Sequence, residues 1–330
     1  MMFNKQKTLV AGGTGMIGRY LVDLLLQEGA ILTVVGREQE YNPPDGVTYI
    51  RCDLTEKSTC MNVCDGMDYV FNLVGVKGSP KMTKENPASF LVPTVQFSLN
   101  MMEAAFKNKV KRFLFTSSVG VYSPAQLMKE DDVWSTFPSP HDRFAGWAKR
   151  ISELQADAYR QEFGWNEIVI VRPANCFGRH DQFDSDKGAM VVPSLIRKVV
   201  LNENPLKVWG DGTAVRDFIH SKDVAEGILH MMKANPQYPV NLGSGVGVSI
   251  QKLVKTIKEC SNINFDVEWS QSDYTGDSIR ILDISKARAL GWEPKISLQD
   301  GIKDTLEWYK GNVNFSNSYN VFSESKQCQK

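Results

Sequence analysis

The sequence predicts an α/β protein: a doubly wound parallel sheet with a smaller domain woven through the C-terminal half. Three observations carry this. Short β-branched runs alternate with longer amphipathic segments through the first half of the chain. The runs are nearly continuously apolar, as parallel strands buried on both faces must be. A glycine-rich turn joins the first run to the first amphipathic segment.

In order, Thr8 to Ala11 reads as a strand and Ile17 to Gln27 as a helix, with apolar residues at positions 17, 21, 22, 24, 25 and 26. Strands follow at Ile31 to Val35, Val47 to Ile50, Tyr69 to Val74, Lys111 to Thr116 and Ile168 to Val171, with helices at Ser98 to Lys107 and Phe144 to Phe163. After Arg172-Pro173 the pattern loosens, and Gly, Pro and Asn recur in loops suited to a binding surface. Val240 to Leu242 reads as a strand and Ile250 to Cys260 as a helix. The division expected is a first domain of residues 1–172 plus about 213–247, a second of 173–212 and 248–312, and a flexible tail at 313–330.

Composition narrows the function. The 330 residues carry 38 basic and 38 acidic side chains, so the long-range field of nucleic-acid and anionic-membrane binders is missing. No apolar run approaches the roughly 18 to 20 residues of a spanning helix, and no signal-peptide pattern opens the chain. Six cysteines lie at 52, 60, 64, 176, 260 and 328 without paired metal-ligand spacing. The expectation is a cytoplasmic protein with no resident metal.

Gly12-Gly13-Thr14-Gly15-Met16-Ile17-Gly18 gives the G-x-x-G-x-x-G form of the dinucleotide fingerprint, in its strand–turn–helix context. Gly12 permits the turn, Gly15 lets backbone approach a pyrophosphate, and Gly18 lets helix meet strand; the helix N-terminus then offers N–H groups to the phosphates. Thr14, Met16 and Ile17 in the turn, Leu54 just beyond one later strand and Leu73 near the end of the Tyr69 to Val74 strand are expected to complete the contacts. An NAD-selective site ordinarily closes its second strand with Asp or Glu. Here Val35-Gly36-Arg37 stands at that end, so the reading prefers NADP(H), with Arg37 on a 2′-phosphate, over NAD(H). Asp53 is placed to meet the adenine.

Further motifs follow in order: Phe115-Thr116-Ser117-Ser118-Val119-Gly120-Val121-Tyr122, Arg172-Pro173-Ala174-Asn175, Trp209-Gly210-Asp211-Gly212, Arg216-Asp217-Phe218-Ile219-His220 and Asn241-Leu242-Gly243-Ser244-Gly245. With the glycine turn, they make the chain resemble the extended short-chain dehydrogenase/reductases of the epimerase/dehydratase group, which carry a Rossmann domain and act on nucleotide sugars. His180-Asp181-Gln182-Phe183 through Val192-Pro193-Ser194-Leu195 looks most like the GDP-L-fucose synthases. The resemblance implies that Ser118 hydrogen-bonds the reacting sugar oxygen. It also implies that Lys149 holds the nicotinamide ribose and lowers the pKa of a tyrosine one helical turn earlier. That tyrosine position is Ala145. Alanine neither takes nor gives a proton. Three explanations stand open: a substitution made to trap substrate, a natural alanine with the proton carried by another group or by a water on Ser118, or binding retained without chemistry. Tyr122 and His180 are the side chains to weigh as substitutes.

Other departures narrow the reaction. The family's dehydratases follow their active-site Thr with Asp-Glu, where this chain has Val119-Gly120. GDP-L-fucose synthases use a Cys and a His where this chain has Gly120 and Met190, so 3,5-epimerisation lacks its groups. Redox chemistry at one sugar carbon remains, as in a 4-epimerase or 4-ketoreductase. The resemblance places a GDP- or UDP-linked sugar diphosphate on Arg216 and Asn175, with Arg197 and Arg280 as further candidates, and implies a homodimer through the Ser98–Lys107 and Phe144–Phe163 helices. His220 and Trp209 read chiefly as core residues.

Overall fold

In the computed structural model, which describes residues 1–184, 188–270 and 276–315, the chain begins with β1 (Lys7–Ala11), α1 (Met16–Gln27), β2 (Ile31–Gly36), β3 (Val47–Arg51), α2 (Lys57–Cys64) and β4 (Tyr69–Asn72). Next come α3 (Pro80–Glu85), α4 (Pro87–Lys107), β5 (Arg112–Thr116), α5 (Arg143–Phe163) and β6 (Ile168–Pro173). Three short 3-10 turns, Val119–Val121, Glu130–Ser135 and Pro140–Asp142, lead from β5 into α5. The second half holds β7 (Asn175–Phe177), α6 (Val191–Val200), β8 (Leu206–Trp209), β9 (Val215–His220), α7 (Ser221–Ala234), β10 (Val240–Leu242) and β11 (Gly247–Ser249). It closes with α8 (Ile250–Ser261), β12 (Val267–Ser270), β13 (Ile279–Arg280), α9 (Ser285–Ala289) and α10 (Leu298–Lys310).

Seven strands form one sheet in the order β10-β6-β5-β4-β1-β2-β3, every pair parallel. Alternation along each strand explains the apolar runs. Val10, Val34, Phe71, Leu114 and Val169 face a core shared with Leu21 and Leu25 of α1 and Ile228 of α7. Their neighbours Leu9, Val35, Val70, Phe113 and Ile168 face Cys60 of α2, Met101 of α4 and Ala156 of α5. With both faces covered, the central strands are chiefly apolar, and buried polar residues such as Asn72, Thr116 and Arg172 stand at their C-terminal ends.

The span 213–247 divides. β10 joins the large sheet, whereas β9 and β11 pair in a small sheet with β13, and β7 also lies along β9. α6, α8 and α10 cover a third apolar cluster, including Phe177, Leu195, Leu253 and Leu306. α4 starts well before Ser98: Pro87 sits in its first turn, where proline is tolerated, and Phe90, Thr94 and Phe97 bury the turns around Pro93. Of the expected tail, Phe315 lies against Trp308 with ring centroids 5.0 Å apart, and residues 316–330 fall outside the described residues.

Candidate active site

The sheet order reverses between β1 and β4, and ligands of open α/β sheets bind in the crevice beyond the strand ends at such a point. The glycine turn lies there. Gly12 has a positive φ of 80°, and a Cβ on it would stand 3.3 Å from the backbone of Leu73 and Val74 just beyond β4. A Cβ at Gly18 would lie 2.2 Å from the Gly12 carbonyl oxygen, so only glycine lets α1 start this close to the turn. Gly15 precedes α1 with no side chain on the helix N-terminus, and Thr14 is buried beside it. Met16 and Ile17 open the helix, in the first turn whose N–H groups have no partner within the helix. The cradle fits a dinucleotide pyrophosphate.

At the end of β2, Arg37 Nη2 lies 3.1 Å from Asp53 Oδ2. Asp53 Oδ1 meanwhile accepts from the Thr55 N–H at 2.9 Å and its hydroxyl at 2.8 Å. The two residues assigned from sequence to separate parts of the adenosine are thus an ion pair with each other. Leu54 is buried in the core behind α2, while its carbonyl accepts from Cys60 Sγ at 3.1 Å.

Ser118 and Lys149 meet at the end of β5. Ser118 Oγ accepts from the Gly120 N–H at 3.1 Å. Lys149 Nζ donates to the Thr116 carbonyl at 2.8 Å and to the Val74 carbonyl at 3.4 Å, which ties β5, the loop after β4 and α5 to one ammonium. Burial pushes that ammonium down to about 8. Ala145 stands one turn earlier on α5, half-buried.

α5 is held to the sheet from below. Ser117 Oγ donates to Glu153 Oε1 at 2.5 Å, and Glu153 forms a two-pronged pair with Arg172 at 2.6 and 3.0 Å. Both partners are 1% exposed, so neither charge has water as an alternative. Tyr122 closes this network: its hydroxyl donates to Asn241 Oδ1 at 2.6 Å and accepts from Arg172 at 3.0 Å. Burial raises the Tyr122 hydroxyl far above the ordinary phenol, so it is a packing residue bonded into the network beneath Ser118.

Across the crevice, β13 runs parallel to β9 with Arg280 directly opposite Arg216. Burial works against the Arg280 guanidinium, but Asp142 and Asp277 outweigh it and hold its pKa up. Its Nη2 donates to Asp277 Oδ2 at 2.6 Å and its Nη1 to Asp142 Oδ2. Arg216, buried and beside Arg280, is pushed down to about 10. Asp142 connects the two halves, because a Cβ built on Gly120 would touch Asp142 Cβ at 3.6 Å and Ser118 Oγ at 3.5 Å. Asn175 Nδ2 donates to the Asp217 carbonyl at 3.0 Å, at the base of the same sheet.

Comparison with known proteins decides the family. Residues 8–243 match the model of the NAD dependent epimerase/dehydratase family. The chain belongs to that family. This epimerase/dehydratase chain is 28% identical to GDP-L-fucose synthase 1 of Arabidopsis thaliana, over 93% of this chain and 94% of the relative. It is 26% identical to the GDP-L-fucose synthase of Escherichia coli, over 94% and 98%. Among solved structures, the UDP-glucose 4-epimerase of Thermotoga maritima, crystallised with UDP-glucose, superposes with a TM-score of 0.84 at 26% identity, covering 93% and 99% of the two chains.

The structure also places three further candidates from the sequence. Arg197 bonds the Tyr309 hydroxyl. His180 is half-buried against Trp308 and Phe315, and burial together with Arg19 and Arg179 pushes it down to about 4, so at neutral pH the ring is uncharged. Trp209 is 49% exposed at the end of β8 and is not a core residue. His220 does serve the core: its Nδ1 caps α7 by accepting from the Lys222 N–H at 3.4 Å, and its ring meets Phe177 and Tyr20. Sequence reasoning missed Asp142 and Asp277, which lie outside any motif and become site residues only through Arg280. Among the described residues no group of three His, Cys, Asp or Glu side chains is placed to hold a metal.

Proposed function

We propose that the protein binds a nicotinamide dinucleotide and a GDP- or UDP-linked sugar, and changes the stereochemistry or oxidation state of one sugar carbon. One conjunction carries the reading. The glycine turn, Ser118 and Lys149 occupy neighbouring strand ends, and Asp142 joins them to the Arg216–Arg280 pair, whose planar guanidinium groups suit a diphosphate.

When bound, the dinucleotide supplies a hydride acceptor or donor. The chain's own groups do the rest. Ser118 Oγ already accepts from Gly120, which leaves its hydroxyl proton for the sugar oxygen. Lys149, fixed by two carbonyls and poised near neutral pH, exchanges a proton with that oxygen through a water on Ser118 that takes the tyrosine's place. NADP(H) preferred over NAD(H) belongs to the same reading, with Arg37, paired with Asp53 yet 31% exposed at the end of β2, as the group for a 2′-phosphate. A homodimer through α4 and α5 belongs to the same reading, as does a reducing cytoplasm, which suits the free thiols of Cys52, Cys60, Cys64, Cys176 and Cys260.

A second reading, a binding protein without turnover, is favoured by Ala145 itself. Calorimetry and single-turnover absorbance with GDP-, UDP- and dTDP-sugars, against free sugars, separate the two. The expected result is turnover by the alanine form, lowered by roughly 10²-fold or more in Ser118→Ala. Tight binding without turnover until Ala145→Tyr is introduced establishes the second reading, and binding of neither ligand class removes both.

A further inference from the structure

Lys149 and Glu153 stand four residues apart on α5, the spacing at which opposite charges on a helix meet. The protein does not make that pair. Lys149 Nζ donates to the Thr116 and Val74 carbonyls and lies 4.8 Å from the centre of the Phe115 ring. The Glu153 carboxylate is instead taken up by Ser117 and Arg172. An ammonium has three N–H donors, so two carbonyls leave one for a carboxylate.

What prevents the pairing is the grip of Arg172. Its Nε donates to Glu153 Oε1 at 3.0 Å and its Nη2 to Oε2 at 2.6 Å, a fork that occupies both oxygens and that lysine cannot reproduce. Arg172 is fixed in turn by the Tyr122 hydroxyl at 3.0 Å and the Glu130 carbonyl at 2.9 Å. The other charges near Lys149 are committed elsewhere. Arg150, beside it on α5, spends its guanidinium on the Val121 and Thr136 carbonyls, and the Glu130 carboxylate accepts from the Asn241 N–H. β5 and the loop after β4 turn only carbonyls and an aromatic ring toward the ammonium.

We propose that Arg172 is a positioning residue for Lys149: it holds Glu153 out of the ion pair that α5 would otherwise form, and so leaves the buried ammonium able to give up its proton. The use of that proton rests on the functional reading above; the hold of Arg172 on Glu153 does not.

NMR of the full chain carrying isotope-labelled lysine, without any ligand, follows the titration of Lys149, whose resonance is the one absent from Lys149→Arg. The native midpoint is expected at about 8. Arg172→Met releases Glu153 and is expected to raise the midpoint by about one pH unit or more. Arg172→Lys, which keeps the charge and loses the fork, is expected to raise it by less, and it decides the matter if the melting temperature shows Arg172→Met to be unfolded. With Glu153→Gln added to Arg172→Met, no carboxylate is left to release, and the midpoint is expected to return to the native value. A midpoint unmoved in both single variants, or raised as far in the double variant, overturns the assignment. If the titrations behave as expected but no sugar nucleotide is turned over, the assignment stands and the functional reading falls.

Discussion

Lys149 is where the chemistry of the site is most sharply set. Its ammonium is buried, bonded only to carbonyl oxygens, and held at about 8 against an ordinary value near 10.4. In the oxidative direction the neutral amine accepts the proton, so the single-turnover rate is expected to climb as pH rises through about 8 and then level off. In the reductive direction the sign is reversed. Lys149→Arg, which stays protonated throughout, should remove the inflection; a rate–pH profile that keeps it would assign the step to another group. The same shift affects folding. The unfolded state holds the proton between about 8 and 10.4 while the folded state has lost it, so stability rises with pH across that window. Ser118, Lys149 and Arg216 were legible in the sequence because motifs surround them. Asp142 and Asp277 were not, because only the tertiary contact with Arg280 brings them to the site.

At the scale of elements, α5 does two jobs. Its inner face carries Lys149 and Glu153, whose bonds to Thr116, Ser117 and Arg172 fix it on the sheet. Its outer face shows Phe144, Ile151 and Leu154, which are 38%, 37% and 56% exposed, and Val92 on neighbouring α4 is 49% exposed. In the proposed homodimer, these apolar residues on paired helices would form the shared surface. Sedimentation velocity is expected to show a particle of twice the 37.0 kDa chain mass, and Leu154→Glu to return it to one chain; a native monomer at micromolar concentration would count against the assignment. The boundaries of α5 were readable almost to the residue. Those of α4 were not, because Pro93 reads as a breaker and only the buried Phe90 and Phe97 on either side show why the helix continues.

For the whole molecule, the first half was transparent and much of the second half was not. Strands buried on both faces announce themselves by composition alone, whereas the small sheet joins β7, β9, β11 and β13, which are far apart in sequence and only two to six residues long. Such pairings depend on tertiary neighbours that no local pattern encodes. The Arg280 bridge is the product of that arrangement, and it makes the molecule behave like a clasp. One jaw, Asp142, heads the helix that carries Lys149; the other, Asp277, belongs to the lobe that would hold the phosphates in the proposed reading. A substrate's inert tail can therefore tighten the geometry around its reacting carbon, so that grip is converted into speed. Opening the clasp with Asp142→Asn is expected to leave sugar-nucleotide affinity within a few-fold while slowing turnover by roughly tenfold or more, a split that stopped-flow and calorimetry together would resolve. Loss of affinity with an unchanged rate would mean that the two lobes work independently.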